Sequence, residues 1–148
     1  MASPTPSAET TLRLRRTFKP PREQVFRAWT DPEELKKWWG PEGYATPSAE
    51  VDLRVGSKYR PGMRKLPDGG IFSLSGIYRE VLPPERLVYT RRWEAKPEMG
   101  ETLVTVEFRE VGRSTEVILT HEFFPTTQAR DDHNRGWNGC LDRLAKLL

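Results

Sequence analysis

The groups in this sequence best suited to chemistry are two imidazoles, one thiol and two arginines that interrupt apolar patterns. The chain carries two histidines, His121 and His133, and one cysteine, Cys140. Both histidines fall on the apolar phase of their segments, one in an alternating run and one in a run with helical spacing. Imidazole titrates near neutral pH, so a histidine in an apolar enclosure is a candidate general base. No Ser-His-Asp order or Gly-x-Ser-x-Gly elbow accompanies either one, and no catalytic residue is assigned on this pattern. The C-x-x-C, H-E-x-x-H and EF-hand spacings are missing, and the consecutive Asp131, Asp132 and His133 point in three directions on a helix. Gly69-Gly70 belongs to a hairpin rather than a phosphate-cradling loop. Neither a metal nor another cofactor is expected.

The arginines raise a different question. Arg16 falls in phase with Leu12, Leu14 and Phe18, and Arg91 in phase with Leu87, Tyr89 and Trp93. A buried guanidinium without a partner is costly, so each, if inward, needs a counter-charge or a bound anion. The remaining charge is unremarkable in pattern: 24 Lys and Arg against 21 Asp and Glu give a net charge of +3, with the signs interspersed. Alternation turns Arg13 and Arg15 toward cross-strand carboxylates or water, so no nucleic-acid partner is expected. A single cysteine excludes an internal disulfide, and no charged start leads into an apolar run. A reduced, cytoplasmic protein without a secretory signal is therefore expected. No stretch approaches the roughly 20 apolar residues of a membrane span, and no membrane association is expected.

These groups must be positioned by a mixed set of elements. Residues 1–9, with two prolines and no apolar periodicity, read as a tail, and residues 10–148 as a single domain. Leu12 to Phe18 alternates as a strand. Pro21 suits a first helical position ahead of Val25, Phe26 and Trp29, and Asp31-Pro32 with Glu34 marks the start of a second short helix ended by Gly40-Pro41. Strands follow over Ser57–Leu66 and Ile71–Leu82 around a Pro-Asp-Gly turn, then over Leu87–Trp93, Thr102–Arg109 and Thr115–His121. From about Thr126 to Leu148, His133, Trp137, Cys140, Leu141, Leu144 and Leu148 share one helical face. The composite is an α+β domain in which a curved antiparallel sheet of about seven strands wraps a long carboxy-terminal helix.

The segment PREQVFRAWTDPEELKKWWGP, Pro21 to Pro41, resembles bacterial homologues of the heat-shock-protein-90 ATPase activator, within the START-like (SRPBCC) superfamily. The resemblance continues through Asp52-Leu53-Arg54-Val55-Gly56, Pro84-Glu85-Arg86-Leu87, His121-Glu122 and Gly136-Trp137. It implies a helix-grip fold with a hydrophobic cavity between sheet and terminal helix. Two departures stand out: Ser57 occupies a position that glycine often fills in the family, and Arg91 stands where an aromatic residue is common.

Phase arguments and this resemblance together suggest the lining of such a cavity. Tyr59 and Met63 come from one strand, and Tyr89, Arg91 and Trp93 from another. Val106, Phe108, Leu119 and His121 come from the last two strands. His133, Trp137 and Leu141 come from the long helix, and Trp38 from the tryptophan pair beside the mouth. The expected function is non-catalytic binding of a hydrophobic or amphipathic small molecule, lipid- or polyketide-like, with Arg91 meeting its acidic end, by a monomer or homodimer. Two alternatives come from the resemblance. One is a co-chaperone-like partner of a heat-shock ATPase. The other is a cyclase- or hydrolase-like enzyme using His121 and His133.

Overall fold

Alternation becomes strand, and three-four spacing becomes helix, throughout a computed structural model that describes residues 9–40, 43–94 and 100–148. All but Glu9 of the expected tail, together with Pro41 and Pro97, lies outside the described residues. Strand β1 (Leu12–Phe18) leads into helices α1 (Arg22–Thr30) and α2 (Pro32–Trp38). Six strands follow: β2 (Tyr44–Val51), β3 (Lys58–Lys65), β4 (Ile71–Leu82), β5 (Arg86–Trp93), β6 (Thr102–Val111) and β7 (Ser114–Glu122). Helix α3 (Thr127–Leu147) ends the chain. The strands form one antiparallel sheet in the order β1-β7-β6-β5-β4-β3-β2, curled into a half-barrel that grips α3. Among the described residues no helix is long and apolar enough to cross a membrane.

Consecutive strands are neighbours from β2 to β7, but β1 and β2 occupy opposite edges of the sheet. Helices α1 and α2 make that long traverse and close one end of the grip. Pro21 caps α1 rather than beginning it, a shift of one position from the sequence reading. Asp31 caps α2 through a 2.9 Å bond from the Glu33 amide, with Pro32 at the first helical position. The sequence reading places no strand at β2. Its segment, YATPSAEV, lacks clean alternation and contains Pro47, which an edge strand tolerates because the missing N–H faces no neighbour. A register shift between Ala45 and Ser48 absorbs the proline. At the departure from the family, Gly56 carries the positive φ of 87°, so Ser57 sits in ordinary backbone.

Part of the core lies between α1 and β6. There the α1 rings Phe26 and Trp29 meet Phe108 edge to face, with centroids 5.2 and 5.7 Å apart. Helix α3 begins at a Thr126 cap whose hydroxyl accepts from the Ala129 amide at 3.0 Å. It buries Trp137, Cys140, Leu141 and Leu144 in the same core. Just before that cap, Phe123 holds a positive φ of 69°, a turn that swings Phe124 onto the His121 ring at 4.3 Å.

Candidate functional site

The end of α2 shapes one wall of the site. The helix stops at Trp38, and Trp39 is its cap in extended backbone (ψ 139°), followed by Gly40 at φ +98°. The two indoles therefore diverge. Trp38 is fully buried and donates its N–H to the Ala28 carbonyl at 2.8 Å. Trp39 turns toward α3 and packs edge to face on Trp137 at 5.3 Å. Arg143 of α3 fixes this turn, because its Nη1 donates to the Gly40, Tyr44 and Trp39 carbonyls at 2.8, 3.2 and 3.3 Å. A cation bound to the carbonyls just past a helix end also complements the helix dipole. The Thr46 hydroxyl adds a 2.6 Å bond to the Trp39 carbonyl.

Between this wall, strands β2 to β5 and α3 lies a cavity of about 190 Å³. Its apolar lining includes Trp39, Tyr44, Met63, Phe72, Trp93 and Trp137. Arg91 enters it from β5. Its Cζ lies 5.2 Å from the Trp137 ring centroid and 5.6 Å from those of Trp39 and Trp93, so three indoles cage one cation. Arg91 is only 8% exposed, yet among the described residues its guanidinium has no hydrogen-bond or ion-pair partner. Its Nε is sealed off without an acceptor. The terminal nitrogens are the ones left open. Cation–π contacts are worth roughly 2 kcal/mol when desolvated, whereas burying an unpaired ion costs several. The cage therefore offsets only part of that cost, and the charge stays uncompensated among the described residues.

The two histidines are committed to bonds that set their tautomers. An indole N–H can only donate, so the 3.0 Å contact from Trp137 Nε1 makes His121 Nδ1 an acceptor. Its Nε2 then carries the proton and donates to the Thr102 hydroxyl at 2.7 Å. That hydroxyl in turn donates to the Arg91 carbonyl at 3.2 Å. On α3, His133 Nδ1 faces the Ala129 carbonyl at 2.7 Å and must donate, which leaves Nε2 to accept from Trp93 Nε1 at 3.4 Å. Both rings are held neutral. Burial first, and Arg91 second, push His121 well below the ordinary imidazole value and His133 down to about 4. With both nitrogens of each ring occupied, neither offers a free lone pair to a guest, and their geometry orients two cage indoles. Burial also pushes the Cys140 thiol up to about 11, against the opposing pull of Arg91, so it is not a thiolate near neutral pH. Among the described residues no three His, Cys, Asp or Glu side chains converge as a metal site would require.

The sequence profile of the family described as "Activator of Hsp90 ATPase homolog 1-like protein" matches residues 19–148. The chain belongs to this family. Among solved structures it is similar to protein CV1439 from Chromobacterium violaceum, at 31% identity and a TM-score of 0.86, covering 93% of this chain and 96% of that one. A protein from Nitrosomonas europaea aligns at 28% identity and TM-score 0.81 over 96% of both chains. An AHSA1 protein from Silicibacter pomeroyi, also at 28% identity, gives a TM-score of 0.81 over 92% of this chain and 95% of that one. No curated protein matches the chain in sequence. The helix-grip, START-like fold implied by the sequence resemblance is therefore the fold of this chain.

Within this member of the Hsp90-activator-like family, the sequence-derived lining divides. Met63, Arg91, Trp93, His133 and Trp137 come together at the cavity. Tyr59 and Tyr89 instead border a separate void of about 10 Å³, enough for no more than about one water. Trp38, Val106, Phe108, Leu119 and Leu141 are packed core, and His121 sits behind Trp137. Sequence reasoning missed Trp39, Gly40, Tyr44, Phe72, Asp132, Gly136 and Cys140 as lining. Cys140 and Gly136 stand seven and three residues after His133, a helical spacing that could have found them, and Phe72 is the register partner of Met63. Trp39 could not be phased, because it lies past the end of its helix.

Proposed function

We propose that this chain is a small-molecule-binding protein that holds an amphipathic anion in the cavity between β2–β5 and α3, its acidic end on Arg91. The observation that supports this reading is the buried guanidinium, without a partner among the described residues, in a cage of three indoles. A residue of this kind lowers stability unless an anion supplies the missing charge, and the surrounding rings exclude water from that encounter. The histidines serve as positioning residues for Trp93 and Trp137 rather than as bases. The test is native mass spectrometry after incubation with a mixture of carboxylic acids and their primary amides. Retention of acids over the matching amides by the wild type, and loss of that preference in Arg91→Met, is the expected result. Equal retention of both classes, or of neither, would reject the reading.

The chaperone alternative rests on the family description alone. It predicts that the protein changes the turnover of a bacterial Hsp90-type ATPase. Unchanged turnover at saturating protein excludes it.

A further inference from the structure

The cavity's size, walls and charge narrow the guest further. An apolar cavity of about 150 Å³ is large enough for benzene. The cavity of about 190 Å³ thus has space inside for one ring with a small acidic substituent, whereas a long acyl or polyketide chain would have to extend out through its open mouth. Its walls are flat. Phe72 stacks on Trp93 at 5.6 Å with an interplanar angle of 25°, while Tyr44 meets Phe72 edge to face at 6.0 Å. Trp39 and Trp137 form the opposite, perpendicular pair. Such surfaces offer faces and edges suited to another aromatic ring.

The polar complement is equally restrictive. Trp93 and Trp137 have given their N–H groups to histidines, and the histidine nitrogens are all occupied. Two cavity groups keep open donors among the described residues: the Trp39 indole N–H, buried without an acceptor, and Arg91, whose charge and planar fork match the two oxygens of a carboxylate. The carboxylate that lines the cavity, Asp132, is about half exposed at the rim and engaged by Arg135 and Gln128. A second anionic group on the guest would approach that carboxylate. On the face of α3, Gly136 leaves open space where a side chain would stand, with nothing within 4 Å of an added Cβ.

We infer that the guest is a single-ring aromatic monocarboxylate, its carboxylate bidentate on the terminal nitrogens of Arg91 and its ring between the Phe72–Trp93 and Trp39–Trp137 pairs. This rests on the binding function proposed above and narrows it. The test is titration of the full chain with 4-methylbenzoate, 4-methylbenzamide, cyclohexanecarboxylate and hexadecanoate, followed by calorimetry and by indole fluorescence. 4-Methylbenzoate should bind most tightly. Loss of the charged pair in Arg91→Met should weaken it about 100-fold. Gly136→Leu should abolish its binding by filling the cavity while leaving the near-ultraviolet dichroism of the fold unchanged, which covers the case in which Arg91→Met perturbs folding. If cyclohexanecarboxylate or hexadecanoate binds as tightly as 4-methylbenzoate, the aromatic assignment is overturned and the cavity function stands. If no acid binds saturably, or if binding survives both substitutions, both are overturned.

Discussion

Arg16 on β1 and Arg91 on β5 both replace an apolar residue on the concave side of the sheet, and α3 passes over both. Over β1 the helix presents Asp142 and Asn138, which meet Arg16 at 2.6 and 3.2 Å. Over β5 it presents Gly136, Trp137 and Cys140, and Arg91 meets rings instead of oxygens. The same division runs through the apolar core. Over β6 the rings of α1 pack directly on Phe108, whereas side chains of β2 to β5 border a void. One side of α3 is thus used for stability and the other for an open, positively charged enclosure. An interior arginine is evidence of a site only when the opposing helix fails to supply its counter-charge.

The contrast can be broken most directly by truncating a ring on each side. Phe108→Ala in the packed half should cost about 3 to 5 kcal/mol in urea unfolding, whereas Phe72→Ala, at a wall that already borders a void, should cost under about 2. Equal losses would show that the two halves are packed alike. Acid provides the next largest effect. His133 titrates in the folded state at about 4, below its ordinary 6.5. The unfolded chain therefore takes up the proton first as pH falls. Stability is complete above about pH 6.5 and declines toward pH 4, by about 2 to 4 kcal/mol from this group. His121, also shifted downward, adds to the same trend. Urea midpoints at pH 7, 5.5 and 4.5 should fall in that order, His133→Gln should flatten the decline, and a carboxylate bound at Arg91 should flatten it further.

Exchanging the arginines sharpens the comparison. Arg91→Met should leave stability unchanged or raise it by about 1 to 2 kcal/mol, because an uncompensated buried charge is removed. Arg16→Met should lower it by about 1 kcal/mol or less, since the Asp142 side chain is 66% exposed and rehydrates. A marked loss from Arg91→Met would make that cation structural. Of similar size to Arg16→Met and opposite sign is Gly136→Ala, which should stabilise α3 by about 1 kcal/mol through helix propensity alone, the new methyl entering empty space. Thermal unfolding resolves each of these.

Much of the molecule is legible in local pattern. Ile71–Leu82 matches its strand at both ends, Asp31 is the cap it was read to be, and the face carrying Trp137, Cys140, Leu141 and Leu144 is the buried face of α3. These depend on alternation, capping chemistry and helical spacing, which act over a few residues. The edge strand β2 escaped because Pro47 and its polar neighbours erase the alternation. Trp39 escaped because a helical phase ends where its helix ends. Val106, Phe108, Leu119 and Leu141 were placed on the correct inward side, but phase does not distinguish filled core from cavity wall.

By itself, then, the sequence determined which residues turn inward and which family the chain resembles, since strand and helix periods and the order of short motifs are properties of the chain alone. Only the tertiary structure decided which inward residues face a void and which arginine has no partner among the described residues. Those outcomes depend on how far the curled sheet stands off from α3, and that distance is set jointly by rings from α1, α2 and the strands, which no single segment encodes.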